Sequence, residues 1–349
     1  MSFVISWNGQ VVNYIRNVEE DRGMKFFGKK MVGKHLAVGA MLTFSTFGAN
    51  SQTVKPLTIV VGFPAGGSVD HIARLLADKL KDPLGRPVIV DNKPGASGRI
   101  AASQVKAMPA DGSVMMIAPN TLILQSIIYS GKINYDLVRD FSPVAKIATM
   151  PVAVAVPTNS PLKNVKDLVS YAKAHKEDTS YGSNGPGSLG HLTGQRFAKA
   201  AGIEWTNIPY KGGAPLVSDL LGGHVQSGVD GLAEYIEHHR AGRLRVLGTF
   251  SGERSSLAPE VPTINEQGIK GANTELWFGL WFPAKTQTAT VIQMQNAVEK
   301  VLKDPDIKNR LSKMVTTIDF VPSAQFAQFV QKEFDVWRPV IRDSGVTPD

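Results

Sequence analysis

Beyond about residue 55, short apolar runs alternate with amphipathic segments, and this alternation constrains the fold more than any other feature. The run LTIVVGF at 57–63 predicts a strand, and the next segment places Ile72, Leu75 and Leu80 on one helical face. Further strands are predicted at 87–92, 114–120, 151–157, 179–184, 204–210, 225–231, 243–250 and 276–283. Helices are predicted at 100–108, 164–175, 214–221 and 232–240, with helical patterning over the rest of the C-terminal region. This alternation is typical of an α/β protein with a largely parallel sheet.

The first 51 residues differ in character from the rest. Four lysines between residues 25 and 34 precede an apolar stretch at 36–47, and Ala49 and Ser51 offer the small side chains of a cleavage site. These are the three parts of a secretory signal. We therefore expect a signal peptide at 24–51, a mis-assigned N-terminal extension at 1–23, and export of the mature protein.

Composition excludes several classes of site. The sequence contains no cysteine, which excludes disulfides, zinc–thiolate sites and cysteine nucleophiles. The net charge is +8, but Lys and Arg form no block of the kind that nucleic-acid binders carry. A modest, dispersed positive charge suits anionic small molecules. We expect no nucleic acid partner and no resident cofactor.

Two stretches combine a predicted strand end, a glycine-rich turn and a predicted helix start: FPAGGSVD at 63–70 and YGSNGPGSLGH at 181–191. The first N–H groups of a helix have no partner within the helix and attract anions. If the two turns belong to different lobes, they can face each other across a cleft. The layout predicts a two-lobed receptor whose chain crosses between lobes near 151–157 and returns near 274–283.

The first turn also has a purely structural interpretation. Ser68 can act as the N-cap of the helix, or its hydroxyl can donate to a ligand. Asp70 would repel an anion bound head-on, so it either holds the loop in place or meets a ligand donor. A tight turn capped by these two residues, with no ligand, explains the same pattern.

The second turn contains Gly185-x-Gly187-x-x-Gly190, which formally matches a dinucleotide-binding fingerprint. That kind of site also needs an acidic residue at the end of the next strand. Tyr210 and Lys211 stand there instead. A carboxylate held by the serine and backbone groups of this turn fits better.

Enzymatic and metal-binding alternatives have less support. The sequence has no G-x-S-x-G elbow, so a periplasmic serine hydrolase would need a histidine base beside Ser68 or Ser188. His238 and His239 lack the H-E-x-x-H spacing of a zinc site, which favours a solvated helix end and no bound metal. Asp230 ends the predicted strand 225–231, where it could meet a ligand or cap the helix that follows.

Seven stretches in this order resemble the Bug family, the solute-binding receptors of tripartite tricarboxylate transporters. They are FPAGGSVDHIARLL, LGRPVIVDNKPGASGRIAA, DGSVMMIAPN, INYDLVRDFSPVAKI, YGSNGPGSLGHLTGQ, IPYKGGAPLVSDLLGGHV and APEVPTINEQG. The resemblance covers nearly the whole chain from Lys55 onward. It implies a two-lobed, type II (Venus-flytrap) periplasmic binding protein that closes on a small organic carboxylate and delivers it to membrane permease subunits. The predicted lobes are 52–154 plus 276–349, and 155–275.

The resemblance also implies that the two glycine-rich turns hold a carboxylate of the ligand. The expected ligand-binding residues are Phe63, Ala65, Gly66, Gly67, Ser68, Asp70, Ser183, Gly185, Gly187, Ser188 and His191, with Asn120, Thr121, Tyr210, Lys211 and Asp230 nearer the distal part of the ligand. His191 could equally be a packing residue. The apolar run after Asn120 suggests a larger or aromatic acid. A sensor receptor for a signalling protein would use the same cleft, and in either role we expect a monomer.

Overall fold

The structure, a computed structural model, describes residues 55–176 and 178–348, so the predicted signal peptide and N-terminal extension lie outside the described residues. The strands are β1 (Leu57–Val61), β2 (Val88–Asn92), β3 (Val114–Pro119), β4 (Phe141–Pro157), β5 (Ser180–Ser183), β6 (Thr206–Pro209), β7 (Gly228–Gly231), β8 (Leu244–Thr249), β9 (Glu275–Pro283) and β10 (Thr317–Pro322). Hydrogen bonds between neighbouring strands join them in one mixed sheet.

The long strand β4 belongs to two groups of strands at once. Its first part, 141–151, pairs antiparallel with β9 and with β10. Its second part, 152–157, pairs antiparallel with β7 and β8. The first strand group is therefore β2-β1-β3-β9 with β10, and the second is β6-β5-β7 with β8. The change of partners lies inside the predicted crossover segment, while the lobe limits themselves stay a prediction.

Parallel pairing brings the turns of each group to one edge of the sheet. In the first group, β1 lies between β2 and β3 and is parallel to both. In the second group, β5 lies between β6 and β7 and is parallel to both. Because the carboxyl ends of parallel strands meet at one edge, the loops after β1 and β3 lie together, as do those after β5, β6 and β7.

The helices of the described residues are α1 (Ser68–Leu84), α2 (Arg99–Lys106), α3 (Thr121–Ile128), α4 (Val165–Ala174), α5 (Leu189–Ala201), α6 (Gly213–Gly222), α7 (Ile236–Arg240), α8 (Thr288–Leu302), α9 (Pro305–Lys313) and α10 (Ser323–Ser344). Short 3₁₀ turns lie at Ala96–Gly98 and Leu232–Glu234. Local sequence sets several of these ends: Pro305 begins α9 after the N-cap Asp304, and Gly223 ends α6 in a left-handed conformation. In the part of the chain described, none of these helices combines the length and apolarity that a membrane span requires.

The aromatic side chains of β9 lie in the core. Trp277 and Trp281 are buried, and their rings pack on Phe326 of α10 at centroid distances of 5.6 and 5.2 Å. Gly279 lies between the two tryptophans, and a Cβ built there would be 2.3 Å from the Phe326 ring. The absence of a side chain at this position allows α10 to lie close against the sheet.

Two predicted elements were wrong. Residues 232–240 form a 3₁₀ turn followed by α7 instead of one helix. The C-terminal region contains β10 between α9 and α10, where helical patterning was expected throughout. The strand β4 also begins well before the predicted residue 151. Its first part includes Lys146, which is buried beside Asp319 at 2.5 Å, and such polar residues conceal the strand in the sequence.

Candidate ligand-binding site

The turn between β1 and α1 is held in place by Asp70. This buried carboxylate accepts hydrogen bonds from the Gly66 N–H (3.0 Å), Arg74 Nε (2.9 Å) and Asn92 Nδ2 (2.9 Å). Asn92 also donates to the Phe63 carbonyl (3.1 Å). Burial alone would raise the pKa of Asp70, but these hydrogen bonds outweigh burial and lower the pKa below its usual value. Both carboxylate oxygens are therefore engaged in fixing the turn.

The start of α1 is capped by a residue from the other strand group. The N-cap is Gly67 and no side chain of the turn caps the helix, so of the two roles left open for Ser68, that of N-cap is excluded. Instead, the Ser68 N–H donates to Glu234 Oε1 at 2.7 Å, and the Ser68 hydroxyl also hydrogen-bonds this carboxylate. Glu234 lies in the 3₁₀ turn after β7 and supplies the negative charge that the end of α1 attracts.

The turn between β5 and α5 is fixed by two of the predicted residues. Ser188 is the N-cap of α5, and its hydroxyl accepts a hydrogen bond from the His191 N–H at 3.2 Å. His191 Nδ1 in turn accepts from the Gly187 N–H at 3.0 Å. Burial lowers the pKa of His191, which favours the neutral ring that this acceptor role requires. Ser188 and His191 thus shape the turn through its own backbone.

This second turn contacts the first strand group across the cleft. The Pro186 carbonyl accepts from Gln125 Nε2 (2.8 Å) and from the Ser97 hydroxyl (3.2 Å). The Leu189 N–H, at the start of α5, donates to the Thr121 hydroxyl at 3.4 Å. These three contacts close the cleft around the turn.

Two glycines make this close approach feasible. Gly185 and Gly187 have φ values of 140° and 62°, which side chains disfavour. A Cβ on Gly185 would lie 2.4 Å from the Ser97 hydroxyl oxygen, and one on Gly187 would lie 2.4 Å from Ile128. These two glycines, which match part of a dinucleotide-binding fingerprint, therefore allow the second turn to lie close against the first strand group.

Two carboxylates converge beside the same cleft. Asp230 is buried, and its Oδ1 accepts from Asn184 Nδ2 (2.9 Å) and the Gly231 N–H (2.8 Å). Its Oδ2 has no hydrogen-bond partner among the described residues. A Cβ built on Gly213, at the start of α6, would lie 3.0 Å from Asp230 Oδ2 and 2.9 Å from Glu234 Oε2. The two acidic groups therefore face the same point.

Burial raises the pKa of both acids. For Asp230, the negative charge of Glu234 raises the pKa further. For Glu234, the hydrogen bonds from Ser68 offset part of the increase. Each of these carboxyl groups is therefore harder to ionise here than it is in water.

The polar groups of the cleft include Glu234 and Gln125, which were not predicted from the sequence, beside predicted ones such as Asn120. A cavity of about 520 Å³ opens beside the start of α1, lined in part by Gly66, Ser68, Ala214 and Glu234. Among the described residues, the buried side-chain oxygens of Asn120, Gln125 and Asn184 have no hydrogen-bond partner. The cleft thus offers acceptors as well as donors. Glu234 and Gln125 carry no motif in the sequence, because only the fold brings them to the glycine turns.

Several expected residues contribute differently or lie apart. The Tyr210 hydroxyl donates to Asp219 (2.9 Å), and Lys211 and Ala65 are exposed. The Phe63 ring is buried beside Gly98, while Ser183 is buried and its hydroxyl lies 3.4 Å from the Gly185 carbonyl.

The apolar run after Asn120, residues 122–124, is buried in the core. Core packing therefore explains why these residues are apolar. The run gives no indication of a larger or aromatic ligand.

The geometry can be compared with the two alternatives of a metal site and a serine hydrolase. Among the described residues, no group of three or more possible ligands for a metal ion converges. The Ser68 hydroxyl hydrogen-bonds Glu234, and the Ser188 hydroxyl accepts from a backbone N–H. In the described part of the chain, neither hydroxyl has a hydrogen bond to a histidine ring.

We expect Asp70→Ala to lower the free energy of unfolding by about 2 kcal/mol, because three donors lose their buried acceptor. The lowered pKa means that this stabilisation is present above the ordinary pKa of 3.8 and lost as pH falls through the folded-state value. Urea unfolding at several pH values measures both effects. Asp78→Ala is the control, since Asp78 lies on the same helix but is half exposed and paired with Lys81, and should change stability by less than about 0.5 kcal/mol. Equal effects of the two substitutions would contradict the role given to Asp70.

We expect Asp230→Asn to stabilise the unliganded protein at about pH 7 by about 1 kcal/mol, because it removes a buried charge while the amide oxygen still accepts from Asn184 and Gly231. The raised folded-state pKa implies that this gain shrinks as pH falls and disappears below the ordinary value of 3.8, where both states are protonated. Thermal unfolding across pH tests this. The control Asp91→Asn changes an exposed acid paired with Lys93 and should have little effect. A loss of stability in Asp230→Asn at neutral pH would show that the charge is well compensated.

Comparison with known proteins places this geometry in a family. Residues 72–346 match the family described as the tripartite tricarboxylate transporter family receptor. A UPF0065 protein from the gbd 5′ region of Cupriavidus necator is 34% identical, over 89% of this chain and 95% of its own length. BugT of Bordetella pertussis is 30% identical, over 85% of this chain and 91% of its own length.

Solved structures show the same architecture. A protein of R. palustris with adipate superposes with a TM-score of 0.81 at 32% identity, covering 85% of this chain and 99% of its own. MatC from Rhodopseudomonas palustris with bound malate gives 0.77 at 27% identity, covering 82% and 99%. The periplasmic binding protein BugD gives 0.80 at 28% identity, covering 84% and 99%. The fold is thus that of a two-lobed periplasmic binding protein, and the chain belongs to the receptor family of the tripartite tricarboxylate transporters, which confirms the resemblance to Bug proteins.

Proposed function

We propose that this protein captures a small organic carboxylate between two lobes in the periplasm and delivers it, unchanged, to the permease subunits of a tripartite tricarboxylate transporter. The observation that carries this proposal is that each of two glycine turns, one in each strand group and each at the start of a long helix, contacts the opposite strand group. The Pro186 carbonyl of the second turn accepts hydrogen bonds from Gln125 and Ser97, and the Ser68 N–H after the first turn donates to Glu234. The relatives with malate and adipate support a carboxylate ligand.

The physical basis of binding is the electrostatics of helix ends. Each helix start is worth about 0.3–2 kcal/mol to an anion, and the value is largest where water is excluded. Closure of the cleft both excludes water and brings donors from two turns to one ligand. We infer that Asn120, Thr121 and Gln125 line the first side of the site, and the turn at 183–188 the second.

The lobe limits proposed are 52–154 with 276–349, and 155–275. Support comes from the change of partners along β4, from β9 and β10 to β7 and β8. The backbone between the two groups is β4 itself and the chain leading into β9. Small rotations there would open the cleft without breaking either group of strands.

Binding of carboxylates is tested with protein secreted into the periplasm and purified from it. Calorimetric titration uses a panel of acids. The panel contains malate, adipate, and monocarboxylic, hydroxy and amino acids of similar length. Recovery of the bound acid unaltered, as judged by mass spectrometry, is the result expected of a receptor. Conversion of the acid, or absence of binding to every member of the panel, would overturn the proposal.

We expect Gln125→Leu to weaken binding of the tightest acid of this panel by about tenfold, because it removes the amide that contacts Pro186 across the cleft. The substitution fills a similar volume and removes a buried oxygen without a partner, so stability should not fall. Calorimetry and thermal unfolding separate these two readouts. Gln104→Leu, which changes an exposed glutamine on α2, is the matched control and should leave affinity unchanged. Unaltered affinity in Gln125→Leu would remove this residue from the site.

A further inference from the structure

The loop between β2 and α2, at residues 95–98, has an unusual backbone. All four of its residues have a positive φ: 136° at Gly95, 48° at Ala96, 51° at Ser97 and 93° at Gly98. Glycine adopts such conformations freely, but they are unfavourable for a residue that has a Cβ. Among the described residues, four residues other than glycine have a positive φ, and Ala96 and Ser97 are the two that are adjacent. The backbone of this loop is therefore strained.

The loop at 95–98 contacts both glycine turns. On one side, a Cβ built on Gly62, directly after β1, would lie 2.8 Å from the Gly98 Cα. A Cβ built on Gly98 would lie 3.6 Å from the Phe63 ring of the first turn. On the other side, the Ser97 hydroxyl donates to the Pro186 carbonyl of the second turn at 3.2 Å. The loop therefore packs against the turn of its own strand group and reaches the other turn across the cleft.

Arg99, the first residue of α2, holds the loop in this conformation. Its Nε donates to the Ala96 carbonyl at 3.1 Å, and its Cζ lies over the Tyr129 ring, 3.2 Å from the ring centre. Tyr129 is buried at the end of α3. A strained backbone persists only where the surrounding structure fixes it. The loop is thus fixed within the first strand group, and Ser97 reaches the second turn from a defined position.

Burial of apolar side chains does not explain the strain. The Ala96 side chain is exposed, and Ser97 is half-buried. Strain of this kind occurs at ligand clamps and switch regions, where a particular contact requires it. The contact made here is the hydrogen bond from Ser97 to Pro186. The second turn is shaped to fit this side chain, because a Cβ on Gly185 would collide with the Ser97 hydroxyl oxygen.

We propose, on the basis of the proposed function, that Ser97 is a positioning residue for ligand capture, which holds the second turn in place while the cleft is closed. It acts on the ligand through Pro186 of that turn. Because its hydrogen bond joins the two strand groups, it stabilises the closed state and is lost when the cleft opens. Loss of the hydroxyl therefore speeds release of the bound acid more than it slows capture. The strained backbone presents the hydroxyl across the cleft.

The test separates the effect of the hydroxyl from that of the strained backbone. Ser97→Ala removes the hydroxyl and keeps the strain, while Ser97→Gly removes the hydroxyl and relieves the strain. Ala96→Gly is the matched control, because it relieves the strain at the neighbouring exposed position and keeps the hydroxyl. Calorimetry with malate, adipate and the other acids of the panel gives the Kd of each variant. Surface plasmon resonance gives the association and dissociation rates of the acid that the wild type binds most tightly.

Both Ser97 variants should bind that acid about fivefold more weakly, the effect of one neutral hydrogen bond, through faster dissociation. Ala96→Gly should leave the Kd and both rates unchanged. Ser97→Gly and Ala96→Gly should each raise the temperature of thermal unfolding by about 2 °C, because each relieves one left-handed residue. Ser97→Gly is thus expected to weaken binding while it stabilises the fold. A merely structural role of Ser97 would lower affinity and thermal stability together.

The outcomes separate this inference from the function on which it rests. An unaltered dissociation rate in Ser97→Ala, or equal weakening in Ala96→Gly, overturns the inference while the carboxylate receptor stands. A fall in thermal stability that accompanies weaker binding in both Ser97 variants also overturns it. Absence of wild-type binding to every acid of the panel overturns both the inference and the proposed function.

Discussion

The N–H groups at the start of a helix have no partner within that helix, and the arrangement of this protein depends on how they are satisfied. The site contains two such starts, α1 and α5, each following a glycine turn after a parallel strand. At α1 the Ser68 N–H meets Glu234 from across the cleft, while Asp70 accepts the Gly66 N–H of the preceding turn. At α5 the His191 N–H meets Ser188 and the Leu189 N–H meets Thr121 from across the cleft, while His191 Nδ1 accepts the Gly187 N–H of the preceding turn. The same groups that need partners in each turn therefore connect the two strand groups.

The residues that fix the shape of each turn differ from the residues that form contacts across the cleft. Asp70 and His191 act inside their own turns, so each turn keeps its shape whether or not the cleft is closed. Glu234, Gln125 and Thr121 act across the cleft, through one or two hydrogen bonds each. Contacts of this number and kind can be exchanged for contacts with a ligand.

Local sequence patterns were sufficient for the fold class, most elements and the two glycine turns. The strand β1, the glycines and the apolar face of α1 are adjacent in the sequence. Their order alone therefore predicts a strand, a turn and a helix start. The roles of Asp70 as the residue that fixes its turn and of Asp230 at a strand end were among the alternatives that the sequence left open. The capping of α1 by Glu234 could not be predicted, because Glu234 is distant in sequence and Ser68 matches the usual N-cap residue type. The strand β10 was missed because its pairing with β4 is a long-range contact.

The turn at 183–188 and the start of α5 are proposed to hold the carboxylate of the ligand. A crystal structure of the protein grown with the tightest acid of the panel tests this directly. The account predicts a ligand carboxylate within hydrogen-bonding distance of backbone N–H groups between residues 184 and 190, with Glu234 still bound to the Ser68 N–H. A ligand carboxylate at the start of α1 with Glu234 displaced, or a ligand bound away from both turns, would contradict it.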